Sequence, residues 1–353
     1  MRGPILRDTV LHHRQLASPG SERPAICRGL VLHADDFGMN KAVTEGILQG
    51  FRQGLLTSTA ILTNAPDCVR AISRWKELQS NLAQQDLPSI DVRERLSDSL
   101  APFDLGIHLN LTQGRPLTAG RYPEPLLDDS GRFPGIVGLA RRLLFSGWKF
   151  RAAIERELTA QIDVLLDHRI APTHLNAHQY IDLFPVVAAI LPELLRRYSI
   201  RVVRVPWEHC LTQTTLLRRF EPANWCLGQI KRMFAFRHLI EMSRHGIAHP
   251  TAFFGTSHAG RIDFDLMRTF VVSAGQGVTE IGIHPGCPVS DHPVSETHDV
   301  STADGWHDPL AQVRPGELSV LTSPVLAELL ESQNLRLRRL SEFASPRLIA
   351  KAA

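Results

Sequence analysis

Short apolar runs alternate with amphipathic stretches along most of the chain. Residues 29–34 are mostly apolar and predict a strand, and Asn40 then begins a stretch in which Val43, Ile47 and Phe51 fall on one helical face. Further strands are predicted at residues 58–63, 103–109, 172–175, 201–205 and 279–283, and further helices at 151–168 and 185–197. Strands that alternate with helices are typical of a parallel sheet. The pattern therefore predicts an α/β fold.

The length of 353 residues suits a single β/α barrel, because such barrels often exceed the usual size of one domain. We expect this domain at residues 28–345, with a flexible leader at 1–27 and a short tail at 346–353. Two stretches interrupt the alternation. Residues 77–102 are polar and charged, which favours a loop or an irregular helix. Residues 207–262 are too long for a loop and predict a helical insert near the barrel mouth.

The composition indicates an ordinary globular protein. Hydrophobic residues make up 43% of the chain and charged residues 21%, and the net charge of +3 does not indicate a nucleic-acid partner, which usually requires a concentrated basic surface. The five cysteines are scattered without a CxxC pair, which favours a reducing compartment. No apolar run approaches a signal-peptide core or a membrane span of about 20 residues, so the cytoplasm is the expected location.

The stretch 216–240 combines basic and apolar residues. It fits an ordinary helix that covers the barrel, which we favour, or a helix that lies at the inner face of a membrane.

Polar residues recur where the predicted strands end. Asp35 and Asp36 end the first strand. His108, His178 and His284 end or follow three later strands. Functional residues of a β/α barrel lie at these carboxyl ends, and one carboxylate with two imidazoles leaves coordination positions of a divalent ion open, as a catalytic site requires. Spacing alone leaves this metal site and a purely structural interpretation, as turn, cap and hydrogen-bonded residues, equally open.

An ordered set of short motifs runs along the chain. The motifs are HADDFG at 33–38, LLTST at 55–59, NAP at 64–66, DLGIHL at 104–109, LLDDSGRF at 126–133, THLNAH at 173–178, RVP at 204–206, EIGIHPG at 280–286 and RPGEL at 314–318. Together, over residues 29–342, they resemble the YdjC-like carbohydrate deacetylase family, which includes chitooligosaccharide deacetylases and hopanoid-associated members. Each motif is weak alone, and their order makes the resemblance specific.

The resemblance implies a deformed TIM-like (β/α) barrel of the glycoside hydrolase/deacetylase type that hydrolyses the N-acetyl group of an amino sugar. The matching positions imply Asp36, His108 and His178 as ligands of one divalent metal ion, zinc or magnesium. Asp35 is implied as the base that takes a proton from the attacking water. His284 is our candidate for the acid that protonates the leaving amine, because it ends a strand on the same face and imidazole titrates near neutral pH.

Several choices stay open within this scheme. The roles of Asp35 and Asp36 can be exchanged, and His174 is an alternative ligand to His178. Asn176 stands where many relatives carry an aspartate, which leaves the tuning of the site and its specificity open.

Asn64, Arg204 and His258 are the candidates for substrate binding. Arg204 either grips a substrate oxygen or caps a strand end, with the second slightly favoured, and His258 is explained equally well as a solvated loop residue. The expected partner is an N-acetylated sugar, either soluble or lipid-linked, and a homodimer is an open alternative. The competing functions are another metal-dependent hydrolase, such as a phosphatase or glycosidase, and a non-catalytic sugar-binding protein.

Overall fold

A computed structural model describes residues 28–83, 96, 103–208, 222–256, 258–288 and 305–344. The predicted leader 1–27 and tail 346–353 lie outside the described residues, and so does most of the polar stretch 77–102.

The apolar run at the start of the described chain is the centre of a parallel sheet. The strands are β1 (Gly29–Phe37), β2 (Ser58–Ile61), β3 (Asp104–Leu109), β4 (Leu175–Ala177), β5 (Ala252–Phe254), β6 (Val278–Ile283) and β7 (Arg336–Leu337). They pair in the order β4-β3-β2-β1-β6-β5, and β7 pairs with the start of β1. Every residue of β1, β2, β3, β4 and β6 is buried, as in parallel sheets that are covered on both faces.

The sheet is curled, and isolated bridges continue it beyond β4. Leu175 bridges Val203, and Val202 bridges Ala248. The predicted strand at 201–205 is therefore wrong as a regular strand, because single bridges form there. The described residues form a half-barrel surrounded by helices, which is consistent with the predicted deformed barrel; a complete TIM barrel is not seen among them.

Ten α-helices surround the sheet in the described part of the chain. They are α1 (Lys41–Arg52), α2 (Cys68–Ala83), α3 (Gly135–Ser146), α4 (Arg151–Asp167), α5 (Pro185–Ala188), α6 (Leu191–Arg197), α7 (Pro222–Arg244), α8 (Phe264–Ser273), α9 (Arg314–Leu321) and α10 (Pro324–Ser332). Asn40 caps α1 as predicted, since its Oδ1 accepts from the amide of Val43 at 2.9 Å. The single helix predicted at 185–197 is split into α5 and α6, because Pro192 cannot continue a helix from the preceding turn.

The predicted helical insert at 207–262 is only partly helical. It contains α7, but it also contains β5, which pairs with β6 as a member of the sheet. The prediction is therefore wrong at its end, because a three-residue strand carries too little periodicity to stand out from the sequence. None of the helices that the structure describes is both long and apolar enough to cross a bilayer.

Helix α1 packs directly on the loop that follows β6. The amide of Cys287 donates to the carbonyl of Ala42 at 3.0 Å. A methyl group added at Gly46 would lie well inside van der Waals contact with the backbone of Gly286 and Cys287. Glycine at this helix position therefore permits the approach of the two backbones.

We expect Gly46→Ala to destabilise the protein by about 1–3 kcal/mol, because neither backbone can give way to the added methyl group. Urea unfolding measures this change. Gly316→Ala in α9 is the matched control, since a methyl group there meets open space and the substitution should be neutral or slightly stabilising. Equal unfolding midpoints for the two variants would contradict the packing argument.

Candidate active site

The end of β1 brings two consecutive carboxylates to one site. Ala34 pairs with Thr59 and Phe37 with Ile61, so three steps along β1 match two along β2. The extra residue is a β-bulge, and Asp36 adopts the left-handed conformation with φ 70°. A bulge interrupts the alternation of side chains along a strand, which is why Asp35 and Asp36 both serve the same site.

Asp36, His108 and His178 form a buried group that can hold a metal ion. Oδ1 of Asp36 lies 2.9 Å from Nδ1 of His178 and 3.5 Å from Nε2 of His108. One ligand atom from each residue lies within 4.8 Å of the others. The three residues come from the ends of β1, β3 and β4, as expected for a site at the carboxyl edge of a parallel sheet.

The hydrogen bonds of Asn176 show that this group suits a cation. Its Nδ2 donates to Oδ1 of Asp35 at 2.9 Å, so its Oδ1 faces Nδ1 of His108 at 2.7 Å. Nδ1 of His108 therefore donates, and the lone pair on Nε2 points towards Asp36. Burial alone lowers the pKa of His108, but the carboxylates of Asp35 and Asp36 raise it above its ordinary value. The group thus attracts positive charge, and its two imidazoles and one carboxylate are donors that divalent metals accept.

Neighbouring side chains surround Asp35 beside the group of candidate metal ligands. Nη1 of Arg204 donates to Oδ2 of Asp35 at 2.6 Å, and Nε2 of His284 lies 3.7 Å from the same oxygen. Burial opposes ionisation, yet the Arg204 guanidinium holds the pKa of Asp35 well below its usual range. Asp35 is therefore a fixed anion beside the candidate metal ligands.

Asp36 forms an ion pair with a second arginine, Arg314. Nη2 of Arg314, in the first turn of α9, donates to Oδ2 of Asp36 at 2.8 Å. Burial raises the pKa of Asp36, but Arg314 and His178 together hold it well below the ordinary value.

A directional chain of hydrogen bonds fills the barrel beneath Asp35. Nη2 of Arg204 donates to Nδ1 of His33 at 2.6 Å, so Nε2 of His33 carries the proton. That nitrogen lies 2.9 Å from Nε2 of His174, which accepts. Nδ1 of His174 then donates to Oγ1 of Thr173 at 2.9 Å. His174, the alternative ligand, thus lies in this interior chain and is not one of the three grouped side chains.

The three predicted substrate-binding residues occupy different surroundings. Nδ2 of Asn64 donates to the carbonyls of Gln113 and Arg115 at 3.1 and 3.2 Å, which fastens the loop after β3. Arg204 is 2% exposed and uses its three nitrogens on Glu280, Asp35 and His33, which favours a role in holding Asp35.

His258 lies after β5 and packs edge-on against Phe270, with the ring centroids 5.9 Å apart. Contact of Asn64, Arg204 and His258 with a substrate stays a prediction.

Sequence reasoning missed three residues around the candidate metal ligands. Nε2 of Gln113 lies 3.3 Å from Nε2 of His178, and the Trp306 ring centroid lies 6.5 Å from that of His178. Arg314 belonged to a motif but had no assigned role. No local pattern marks Gln113 or Trp306, since both reach the site from irregular loops.

The fold and site define a β/α half-barrel protein with a buried Asp-His-His group at the carboxyl ends of its strands. The chain belongs to the YdjC-like protein family, whose sequence model matches residues 29–332.

Two curated relatives align over most of the chain, and a third aligns over about half of it. The carbohydrate deacetylase of Homo sapiens is 30% identical over 334 residues, covering 90% of this chain and 92% of the relative. The carbohydrate deacetylase of Mus musculus is 29% identical, covering 90% of this chain and 96% of its own. The carbohydrate deacetylase of Geobacillus stearothermophilus is 32% identical over 190 residues, covering 52% of this chain and 63% of its own.

A solved structure supports the fold. A crystal structure from Enterococcus faecalis V583, provisionally named a cellobiose-phosphate cleavage protein, superposes with a TM-score of 0.66 at 18% identity. The match covers 90% of this chain and all of the other, and at this identity it bears on the fold alone.

Because His174 is buried in the chain of hydrogen bonds beneath Asp35, we expect the protein to lose stability in acid. Burial is the main reason that the pKa of His174 is lowered to about 4. Histidine in the unfolded chain titrates near pH 6.5, so between that pH and about 4 the unfolded state binds a proton that the folded state does not. We expect His174 to cost the folded state about 3 kcal/mol as the pH falls through this window. Urea unfolding at about pH 7.5 and about pH 4 measures the loss.

His174→Gln should make this pH dependence shallower, because glutamine does not titrate. The part that remains comes from His33 and His238, whose pKa values are also lowered mainly by burial. His245→Gln, which removes a surface histidine at the end of α7, should leave it unchanged. Parallel pH profiles for the wild type and His174→Gln would refute the assignment.

Proposed function

We propose that the protein is a metal-dependent carbohydrate deacetylase that hydrolyses the N-acetyl group of an amino sugar. The observation that carries the proposal is the buried group of Asp36, His108 and His178 in a chain whose curated relatives are named carbohydrate deacetylase. A second carboxylate, Asp35, and an imidazole, His284, lie beside the group. Hydrolysis of an amide needs these same elements: an activated water, an electrophilic stabiliser and a proton donor for the amine.

Asp36, His108 and His178 are the residues that would hold the metal ion. A divalent ion bound there supplies a Lewis acid that polarises the acetamide carbonyl and lowers the pKa of water. Zinc suits two imidazoles and one carboxylate, and magnesium is the alternative that the sequence left open.

Asp35 is the proposed base for the attacking water. Its two oxygens accept from Asn176 and Arg204, so the carboxylate keeps one orientation and stays ionised. Its remaining lone pairs can take the proton of a water molecule held at the neighbouring Asp36 group. Arg204, which is enclosed by its three partners, acts by holding this carboxylate in place.

His284 is the proposed acid for the leaving amine. It follows β6 directly, its side chain is 12% exposed, and its Nε2 lies 3.7 Å from Oδ2 of Asp35. An imidazole at this position borders the site and can pass a proton to an amine.

The segment after His178 is our candidate for the determinant of substrate choice. Gln179 and Tyr180 have φ of 53° and 60°, two consecutive non-glycine residues in the left-handed region. A strained backbone conformation of this kind persists only where the surrounding structure stabilises it, and such conformations are often found at functional sites. Nζ of Lys231 in α7 lies 4.8 Å from the centroid of the Tyr180 ring, so the helix of the insert holds this segment.

Purified protein that is incubated with a divalent metal should release acetate from an N-acetylated glycan. Soluble oligosaccharides and lipid-linked amino sugars are assayed in parallel, since the site chemistry allows both. Asp36→Ala and His108→Ala should lose bound metal and acetate release together, because each removes one of three ligands. Full metal content in either variant would overturn the ligand assignment. Release of phosphate or of a reducing sugar without acetate would favour another hydrolase.

Asp35→Asn separates the base from the ligands. The amide keeps the shape of the side chain but cannot accept a proton, so we expect metal content to be retained and kcat to fall by about 100-fold or more. Metal analysis and acetate release on the same sample measure both quantities. Wild-type turnover in Asp35→Asn would remove Asp35 from the mechanism.

A further inference from the structure

Helix α9 begins with the Arg314-x-x-Glu317 element, to which the proposed reaction assigns no role. Residues three apart lie on the same helical face, so both side chains point towards the site. Both are buried, Arg314 at 2% and Glu317 at 1% exposure. Two buried ionisable side chains on one helical turn are costly unless each has specific partners.

The guanidinium of Arg314 joins two carboxylates and a backbone carbonyl. Nη2 donates to Oδ2 of Asp36 at 2.8 Å and to Oδ1 of Asp308 at 2.9 Å. Nε donates to Oδ2 of Asp308 at 2.8 Å, and Nη1 reaches the carbonyl of His284 at 3.4 Å. Asp308 thus fixes the plane of the guanidinium, and the guanidinium fixes Asp36.

This contact assigns different tasks to the two oxygens of Asp36. Oδ2 is occupied by Arg314, whereas Oδ1 faces both imidazoles of the candidate metal group. A free carboxylate can offer a metal one oxygen or both, and each extra ligand oxygen removes a position that water or substrate needs.

We propose that Arg314 is a positioning residue that restricts Asp36 to a single ligand oxygen and so keeps coordination positions open for water and substrate. The proposal rests on the metal site of the proposed function, but not on the identity of the sugar.

The shape of the arginine side chain is what this role requires. A planar guanidinium can hold Asp36 and Asp308 at the same time, whereas a lysine ammonium is a point charge without that fork. If only the positive charge of Arg314 mattered, the residue would weaken cation binding, because a positive group beside a ligand oxygen repels the cation. Arg314→Lys keeps the charge and removes the fork, so it distinguishes the two explanations.

Helix α9 also holds the backbone of the proposed acid. Oε2 of Glu317 accepts from the amide of His284 at 2.6 Å, and Oε1 accepts from the amide of Ile262 at 3.1 Å. Arg314 approaches the carbonyl of the same histidine. One helical turn therefore fixes a metal ligand and the backbone of the proton donor together.

The test is a titration of the metal-free full-length protein with Co²⁺, without any sugar. Calorimetry gives the dissociation constant, and the visible absorption of the bound ion reports its coordination number. We expect Arg314→Lys to weaken Co²⁺ binding by about tenfold or more, as for other residues that orient metal ligands. We also expect weaker absorption bands, because a second oxygen of Asp36 joins the ion.

Arg70→Lys is the matched control. Arg70, in α2, also joins two carboxylates, Asp67 at 2.7 Å and Glu45 at 2.6 Å, but neither of them is a candidate metal ligand. This variant should lower Tm without changing the Co²⁺ affinity or spectrum. If Arg314→Lys does not fold, Asp308→Asn loosens the same guanidinium and should shift the spectrum in the same direction.

Wild-type affinity and an unchanged spectrum in the folded Arg314→Lys variant, or in Asp308→Asn where that variant replaces it, would overturn the proposal. Absence of Co²⁺ binding by the wild type would overturn both the proposal and the metal site. Metal binding by the wild type without acetate release from any glycan would contradict the proposed reaction alone.

Discussion

Two buried ion pairs, Asp35 with Arg204 and Asp36 with Arg314, hold the end of β1 in place. A bulge forces both carboxylates into one site, and two adjacent anions in a buried position repel each other unless each is compensated. The arginines come from distant parts of the chain, one after β4 and one in α9. The rest of the centre, including both candidate ligand histidines, is arranged around these fixed carboxylates.

The barrel interior beneath the site is polar where a simple β/α barrel has layers of aliphatic side chains. His33, His174, Arg204 and Glu280 are all buried there and are joined by hydrogen bonds with a single consistent direction. Such a network specifies one arrangement but leaves little tolerance for the loss of a member. Stability and the geometry of the candidate site therefore depend on the same residues.

Features that depend on residues close together in the sequence could be predicted from local patterns. Features that depend on contacts between distant parts of the chain could not. The strand at residues 29–34 and the Asn40 cap follow from apolar runs and capping chemistry. β5 is too short for its periodicity to be recognised, and the strand predicted at 201–205 is reduced to bridges. The histidines at strand ends were visible, whereas the partners of Arg204 lie on β1 and β6 and could not be read from the residues around it.

The contact between Asp36 and Arg314 joins residues 278 positions apart. A chain emerging from the ribosome contains the carboxylates and histidines long before α9 is made. The cation-binding arrangement is therefore completed only when nearly the whole domain has been synthesised. Under the proposed function, metal would load only after α9 has been made, and it would stabilise the finished domain because binding would favour the state in which Asp36 and Arg314 are in contact.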